Sequence, residues 1–254
     1  DRRSFKKSKN ILNLNKISTK SGLLSKEVKI LYKDYNYVKK KKYPYITGKL
    51  ACSSDFHILR NNTIITNEHS RNVSHLLRYK NHGILTSYKS INIDNPKLTC
   101  RLNGLEKLSP KILVIDKDLK INVKSYIVNN SKKLNTIIFH NSKNFKRIKK
   151  LKKKGLKLIH QEVEKDGYIN LKKLFKNIYN LGIYTLLVEC GKSLTYKILS
   201  KKLFNEFYLF KSDKKLNNKG KINVLNINKN LNKNFKYKKY VNTYLDKDTL
   251  IHYY

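Results

Sequence analysis

Short apolar runs alternate with amphipathic stretches along most of the chain. The runs are rich in β-branched residues, and several are uninterrupted, as expected for strands buried on both faces of a sheet. These predicted strands cover residues 45–51, 83–86, 111–116, 136–140, 156–159 and 185–189. The intervening amphipathic stretches are expected to be helices that cover the sheet.

Apolar residues recur at helical spacing between the predicted strands. Thr66 is expected to cap a helix that runs from Asn67 to about Tyr79. Further helices are predicted over 145–154, before Gly155, from 171 to near Gly182, and over 191–202. Strands that alternate with helices predict an α/β fold, with a mostly parallel central sheet covered on both faces.

The C-terminal part of the chain follows a different pattern. Residues 204–211, 235–244 and 249–254 are typical of longer, half-exposed strands, which predicts an antiparallel extension of the sheet. The Asn/Lys-rich stretch 214–234 is predicted to be a mobile loop with at most one strand, around 222–225. This part should therefore complete one side of the sheet.

The first 35 or so residues carry a small helix and strand pattern of their own, and a lysine run at 39–42 follows them. We therefore predict two parts, residues 1–40 and 41–254.

No apolar run approaches the ~20 residues that span a bilayer. Cys52, Cys100 and Cys190 are too scattered for a disulfide framework or a metal pair, which favours a reducing, cytoplasmic location. The sequence lacks Met even at position 1, which indicates a fragment.

The charge is extreme, with 57 Lys and Arg against 17 Asp and Glu, a formal net charge of +40. Such a balance is typical of nucleic-acid-binding proteins. However, the excess is mainly lysine, spread along a chain that is also rich in Asn, Ile and Tyr, so compositional drift explains it equally well. The aromatic strands, Gly-rich clamps and Cys/His fingers of RNA-binding modules are missing. Charge restricts the partners to anions without predicting a specific nucleic-acid or membrane partner.

Two loops carry the candidate chemistry. Residues 93–101 present a carboxylate, a proline-fixed turn and Arg101. Residues 187–194 place Glu189 at a strand end, followed by Gly191 at the start of a helix, where backbone N–H groups can face a phosphate. Together they predict a site for an anionic, nucleotide-like ligand.

The order of the polar motifs along the chain is distinctive. It runs through residues 49–55, 64–66, 76–78, 84–86, 94–101, 114–116 and 188–191. Over about residues 43–254 the chain resembles the reductase domain of the bifunctional riboflavin-biosynthesis deaminase/reductase, which has a dihydrofolate-reductase-like fold. Residues 1 to about 36 resemble the C-terminal end of that family's deaminase domain. The zinc signature of the deaminase is absent from the sequence, so deamination on this chain is not supported.

The resemblance implies an NADPH-dependent reductase that converts a ribosylamino-pyrimidine phosphate to its ribityl form in riboflavin biosynthesis. It also implies a homodimer, with no metal at the reductase site. Lys49 and Glu189 match catalytic positions, and Glu189 also contacts the substrate in the family. The other matched positions are Asn62, Arg78, Leu98 and Arg101 for the substrate, and Ala51, Ile64, Ser90, Asp94, Gly191, Lys192, Ser193 and Leu194 for the cofactor.

Structural explanations compete for several of these residues. Arg78 could be a solvated charge at a helix end, and Asp94 could merely form an Asx-type turn before Asn95. Lys49 and Glu189 could be a simple salt bridge between strand ends, which the sequence cannot separate from a functional pair.

The chain also departs from the family pattern. Phe56 replaces a turn glycine, and a Phe at positive φ is strained. Asn62 and Ile64 stand where a serine and a tryptophan touch ligands in the family, and Lys117 replaces a serine. Two classes therefore stay open: the reductase, and either a decayed, non-catalytic reductase fold or a basic protein that binds anions or nucleic acid.

Overall fold

The structure is a computed structural model that describes residues 7–58, 64–217 and 222–254. The strands are β1 Tyr45–Cys52, β2 His57–Ile58, β3 Gly83–Ser87, β4 Lys111–Ile115, β5 Ile137–His140, β6 Lys157–His160, β7 Thr185–Glu189, β8 Glu206–Lys211, β9 Ile222–Asn223, β10 Lys238–Tyr240 and β11 Thr249–Tyr253. The helices are α1 Lys7–Leu14, α2 Ser25–Leu31, α3 Lys33–Lys41, α4 Glu68–Tyr79, α5 Tyr88–Asp94, α6 Tyr126–Asn129, α7 Ser131–Leu134, α8 Phe145–Lys153, α9 Leu171–Asn180, α10 Lys192–Ser200 and α11 Leu225–Asn234, with a 3₁₀ turn at Glu106–Leu108.

One large sheet organises the described residues, in the order β10-β11-β8-β1-β7-β3-β4-β5-β6. The strands from β8 to β6 in this order are parallel to one another, and β11 joins β8 in antiparallel register. The carboxyl ends of β1, β7, β3, β4, β5 and β6 therefore share one edge, where open α/β sheets usually bind their ligands. The predicted α/β class, with antiparallel C-terminal strands, is confirmed.

Helices cover both faces of the sheet and close two apolar clusters. One cluster includes Leu174 of α9, Ile198 of α10 and Leu231 of α11. The other includes Leu77 of α4 and Leu151 of α8. Side chains alternate between the two faces along each strand, so neighbouring residues of a strand contact helices on opposite sides of the sheet.

The six predicted N-terminal and central strands are all present, with ends within one or two residues of the prediction. The cap of α4 was predicted wrongly, since Asn67 rather than Thr66 accepts the hydrogen bond from the Ser70 N–H, at 3.0 Å. Thr66 is instead buried against the helix start.

The C-terminal prediction needs two corrections. The stretch predicted as a mobile loop contains α11, whose Ile227 and Leu231 are buried in the core, although residues 218–221 of that stretch lie outside the described ones. The long strand predicted over 235–244 is only the three-residue β10. In α11 the abundant Asn and Lys residues obscure a few apolar positions, which form a helix face only when tertiary packing buries them.

The N-terminal segment contributes little to the core, since none of the described residues of α1, α2 and α3 is buried. It is attached through Lys33, whose Nζ lies 2.5 Å from Oε2 of the buried Glu206. The division into residues 1–40 and 41–254 stays a prediction. None of the described helices has the length and apolar character needed to cross a membrane.

Candidate active site

Glu189 is the last residue of β7 and is paired in register with Lys49 of the parallel strand β1. Both residues lie on the sheet face that α4 covers. The Lys49 Nζ is 3.8 Å from Glu189 Oε2, and both side chains are largely buried. A buried carboxylate needs hydrogen-bonded or charged partners, and the lysine alone is too distant to supply a hydrogen bond.

Arg78, near the end of α4, is the main partner of Glu189. Its Nε donates to Oε1 at 2.8 Å and its Nη2 donates to Oε2 at 2.9 Å, which makes a bidentate pair. Its Nη1 donates to the Thr99 carbonyl at 3.2 Å. Arg78 is therefore not a solvated charge, and most of its donors are already used within the protein.

The charges around Glu189 determine its protonation. Burial alone raises the pKa of this carboxyl, but Arg78 and Lys49 outweigh burial and bring the pKa to about 2. The pKa of Lys49 is lowered, chiefly by burial and further by Arg78, although Glu189 opposes both. Glu189 is thus ionised at neutral pH, and the cluster carries an excess of positive charge.

A cleft of about 230 Å³ opens beside this cluster, and ten of the described residues line it. They are Lys49, Ala51, Ile64, Ile65, Thr66, Arg71, Ser74, His75, Arg78 and Arg101. Because four of them are Lys or Arg and none is acidic, the cleft suits an anionic ligand. The candidate residues Lys49, Ala51, Ile64, Arg78 and Arg101 are brought together here.

Five lining residues were not predicted as site residues: Ile65, Thr66, Arg71, Ser74 and His75. The last three lie on the same face of α4 as Arg78, at the i+3 and i+4 spacings that a predicted helix already supplies. His75 Nδ1 lies 3.1 Å from the Thr99 carbonyl and 3.3 Å from the Arg101 backbone N. Burial, then Arg78 and Arg101, lowers the pKa of His75 to about 4, so its ring is neutral at pH 7.

Arg101 differs from Arg78 in its availability. It is exposed, and its guanidinium makes no hydrogen bond to any of the described residues. The guanidinium carries five N–H donors in a fork that matches a phosphate. Among the described residues, most Arg78 donors have partners whereas the Arg101 guanidinium has none, so Arg101 is the better suited of the two to bind a ligand.

The loop before Arg101 has an unusual backbone. Leu98 is buried and adopts the left-handed conformation, with φ of 56°, which is uncommon for a residue with a side chain. Asn95 closes α5 at φ of 42°, and its side chain accepts a hydrogen bond from the Tyr126 N–H at 2.7 Å. Asp94 is half-buried and makes no turn-forming hydrogen bond to the described residues. Neither Leu98 nor Asp94 lines the cleft.

The predicted phosphate turn lies at the carboxyl end of β7. Gly191 precedes α10, and no side chain caps the helix among the described residues. A Cβ placed on Gly191 would lie 4.0 Å from Ser90 Oγ, so the Gly191 turn and the start of α5 are neighbours. Lys192, Ser193 and Leu194 form the first turn of α10, whose N–H groups can donate hydrogen bonds to a phosphate. This turn lies beside the cleft rather than in its lining.

Phe56 and Ile64 are the described residues at the two ends of the segment that departs most from the family pattern. Phe56 adopts φ of 59°, as expected for a residue in place of a turn glycine, and the Lys211 Nζ lies 4.6 Å from its ring centre. Ile64 lines the cleft and is 60% exposed. The Asn62 prediction lies outside the described residues.

Comparison with known proteins places these features in context. Residues 44–215 match the family described as the RibD C-terminal domain. The chain is 23% identical over 192 residues to the riboflavin biosynthesis protein RibD of Actinobacillus pleuropneumoniae, covering 74% of this chain and 50% of that protein. It is 27% identical over 136 residues to the 2,5-diamino-6-ribosylamino-4(3H)-pyrimidinone 5′-phosphate reductase of Aquifex aeolicus, covering 53% of this chain and 58% of that protein. The chain thus spans about half the length of these curated relatives.

Solved structures show the same fold. Acinetobacter baumannii RibD superposes with a TM-score of 0.75 at 18% identity, over 98% of this chain and 68% of that one. The riboflavin biosynthesis reductase of Saccharomyces cerevisiae superposes with a TM-score of 0.65 at 18% identity, over 88% of this chain and 98% of that one. At this level of identity the likeness concerns the fold.

Proposed function

Because this chain belongs to the RibD C-terminal domain family, we propose that it reduces 5-amino-6-(5-phosphoribosylamino)uracil to the ribitylamino form, with NADPH as the reductant. The observation that carries the proposal is the cation-lined cleft at the carboxyl ends of β1 and β7, beside the uncapped start of α10. It supports a ligand that carries a phosphate. The name of the Aquifex relative supports a phosphorylated pyrimidine as that ligand.

The residues present fit a dinucleotide cofactor. The side-chain-free Gly191 and the first turn of α10 offer N–H groups to a pyrophosphate, and Ser90 lies next to them. When bound there, NADPH supplies a hydride. The protein contributes binding, orientation and electrostatics.

We assign the substrate contacts from the charge and the hydrogen-bonding groups of each side chain. The Arg101 guanidinium, which has no hydrogen-bond partner among the described residues, holds the substrate phosphate, while Lys49 and Glu189 orient the pyrimidine ring. Arg78 keeps Glu189 ionised and fixes its position through the bidentate pair. The reduction adds a hydride to the sugar C1′ and a proton to the ring oxygen as the bond between them breaks, which yields the open ribityl chain.

The proposal covers the reductase step alone. The resemblance of the N-terminal segment to a deaminase domain, the homodimer and the cytoplasmic location stay predictions.

Turnover with the purified chain tests the function. NADPH absorbance is followed with the uracil substrate and, separately, with the diamino-pyrimidinone phosphate that the Aquifex relative's name specifies. We expect wild-type turnover, a KM at least about tenfold higher in Arg101→Ala because a charged phosphate contact is lost, and a reduced kcat/KM in Glu189→Gln. Lys107→Ala, an exposed lysine outside the cleft, is the control and should match the wild type.

A protein without reductase activity would give a different result in this assay. A decayed fold or a basic anion-binding protein shows no turnover, and its NADPH binding is absent or falls with salt in proportion to the charges involved. If wild-type protein binds NADPH in that manner and oxidises none of it with either substrate, the reductase proposal is wrong.

A further inference from the structure

His75 of α4 connects this helix to the loop that carries Arg101. It lies one helical turn before Arg78, is only 6% exposed and contributes to the lining of the cleft. Three polar groups lie on the Nδ1 side of its ring, whereas Nε2 makes no hydrogen bond to any of the described residues. His75 is therefore placed to act on the candidate site, although it was not predicted as a site residue.

The backbone at Arg101 is held by side chains rather than by secondary structure. Arg101 lies outside the described helices and strands, and it makes no backbone–backbone hydrogen bond to the described residues. Before it, the buried Cys100 donates its N–H to Ser109 Oγ at 3.0 Å, and after it the chain turns through the exposed residues 103–104. Among the described residues, the acceptor for the Arg101 N–H is His75 Nδ1, at 3.3 Å.

The groups around Nδ1 indicate which ring nitrogen carries the proton. Since the lowered pKa of His75 leaves its ring neutral at pH 7, only one nitrogen is protonated. Nδ1 faces two donors, the Arg101 N–H at 3.3 Å and Arg78 Nη1 at 3.5 Å, and one acceptor, the Thr99 carbonyl at 3.1 Å. That carbonyl already accepts from Arg78 Nη1 at 3.2 Å, whereas a protonated Nδ1 would leave the Arg101 N–H without an acceptor among the described residues. An unprotonated Nδ1, with the proton on Nε2, therefore satisfies more of these groups.

This arrangement ties the Arg101 loop to the Glu189 cluster. Arg78 follows His75 by three residues on the same face of α4, and its guanidinium is fixed by the bidentate pair with Glu189. Its Nη1 also lies within reach of both the Thr99 carbonyl and Nδ1. The backbone of Arg101 is thus anchored to α4, while its guanidinium has no partner among the described residues.

We propose that His75 is a positioning residue for the substrate phosphate: in its Nε2–H form it accepts the Arg101 N–H at Nδ1, and so fixes the backbone from which the Arg101 guanidinium reaches the phosphate. The inference rests on the proposed function, because that function assigns the phosphate to Arg101. A guanidinium on an unanchored loop binds more weakly, since the loop must be ordered at the same time. Loss of His75 should therefore weaken substrate binding and leave the hydride-transfer step little changed.

The kinetic test compares two substitutions that differ at the position of Nδ1. In His75→Asn the Oδ1 atom can take the place of Nδ1 as an acceptor, whereas His75→Leu keeps the apolar bulk and has no acceptor. We expect KM for the pyrimidine phosphate to rise roughly tenfold in His75→Leu, with kcat within about threefold of the wild type, and most of this rise to be absent in His75→Asn. His69→Leu, at an exposed position of the same helix, is the control and should match the wild type.

A double-mutant cycle tests whether His75 acts through Arg101. If it does, His75→Leu has little further effect on KM in the Arg101→Ala background, because the side chain that it positions is gone. A further rise of about tenfold in that background would show that His75 contributes independently of Arg101, and would refute the inference. A wild-type KM in His75→Leu, or a loss confined to kcat, would refute it as well.

Two NMR measurements do not depend on turnover. The shifts of the two ring nitrogens, assigned with His75→Gln, show which nitrogen is protonated, and the amide exchange rate of Arg101 reports its hydrogen bond. We expect the Nε2–H form, and an Arg101 amide that exchanges at least about tenfold faster in His75→Leu but not in His75→Asn. A proton on Nδ1, or an exchange rate that His75→Leu leaves unchanged, would overturn the inference. If the wild type reduces neither substrate, the proposed function fails, and these measurements still decide whether His75 anchors Arg101.

Discussion

Glu189 joins three elements of the protein at a single carboxylate. It accepts two hydrogen bonds from Arg78 of α4 and lies opposite Lys49 of β1. Removing such a carboxylate leaves two largely buried cations uncompensated, which costs about 3 kcal/mol or more in typical proteins. Glu189→Gln should therefore lower stability as well as activity, and its kinetics need a parallel measurement of unfolding.

His75 should make stability depend on pH. Its pKa is about 4 in the folded protein against an ordinary value of 6.5, because burial, Arg78 and Arg101 disfavour the imidazolium. Between these two values the unfolded chain binds more protons than the folded one, so the free energy of unfolding falls as the pH falls from about 6.5 to 4. We expect His75→Gln to show a shallower decline than the wild type over this range, measured as the urea midpoint.

The control for this experiment is His69→Gln, an exposed histidine on the same helix. It should keep the wild-type decline. Identical slopes for the wild type and His75→Gln would show that the neutral state of His75 contributes nothing to folding.

At the level of the elements, the packing of β1 beside β8 requires a residue without a side chain at Gly48. Gly48 is paired in register with Phe207, and a Cβ on Gly48 would lie 2.2 Å from the Phe207 ring. Such a contact is impossible without a shift of the ring or of the strand. Since β1 carries Lys49 as the next residue, the packing at Gly48 also sets the position of the candidate site.

Gly48→Ala should thus destabilise the protein by about 1–3 kcal/mol, the usual range for overpacking a core. The measurement is urea unfolding. In a double-mutant cycle Phe207→Leu should recover part of this loss, because the smaller side chain leaves room for the methyl group. Strictly additive effects of the two substitutions would mean that the ring is not what Gly48 accommodates.

At the level of the whole molecule, the charge of +40 is the dominant feature. Repulsion among so many like charges destabilises the compact state, and salt screens it. We expect the thermal midpoint to rise as NaCl increases from about 0.02 M to about 0.5 M.

A midpoint that stays constant or falls with NaCl would contradict this expectation. It would mean that the ion pairs of the folded state, such as Lys201 with Glu164 at 2.8 Å, outweigh the repulsion.

Local hydrophobic periodicity and motif order were enough to predict the α/β class, the six central strands and the family. The motifs also predicted Lys49, Arg78, Arg101 and Glu189 as residues of one site. Tertiary packing was needed to show that Arg78 rather than Lys49 is the main partner of Glu189, and that the Arg101 guanidinium has no partner among the described residues. Those outcomes depend on distances between side chains of different elements, which no spacing along the chain specifies. The same reason explains α11, since its few apolar residues become a helix face only when α10 and the sheet supply the surface that buries them.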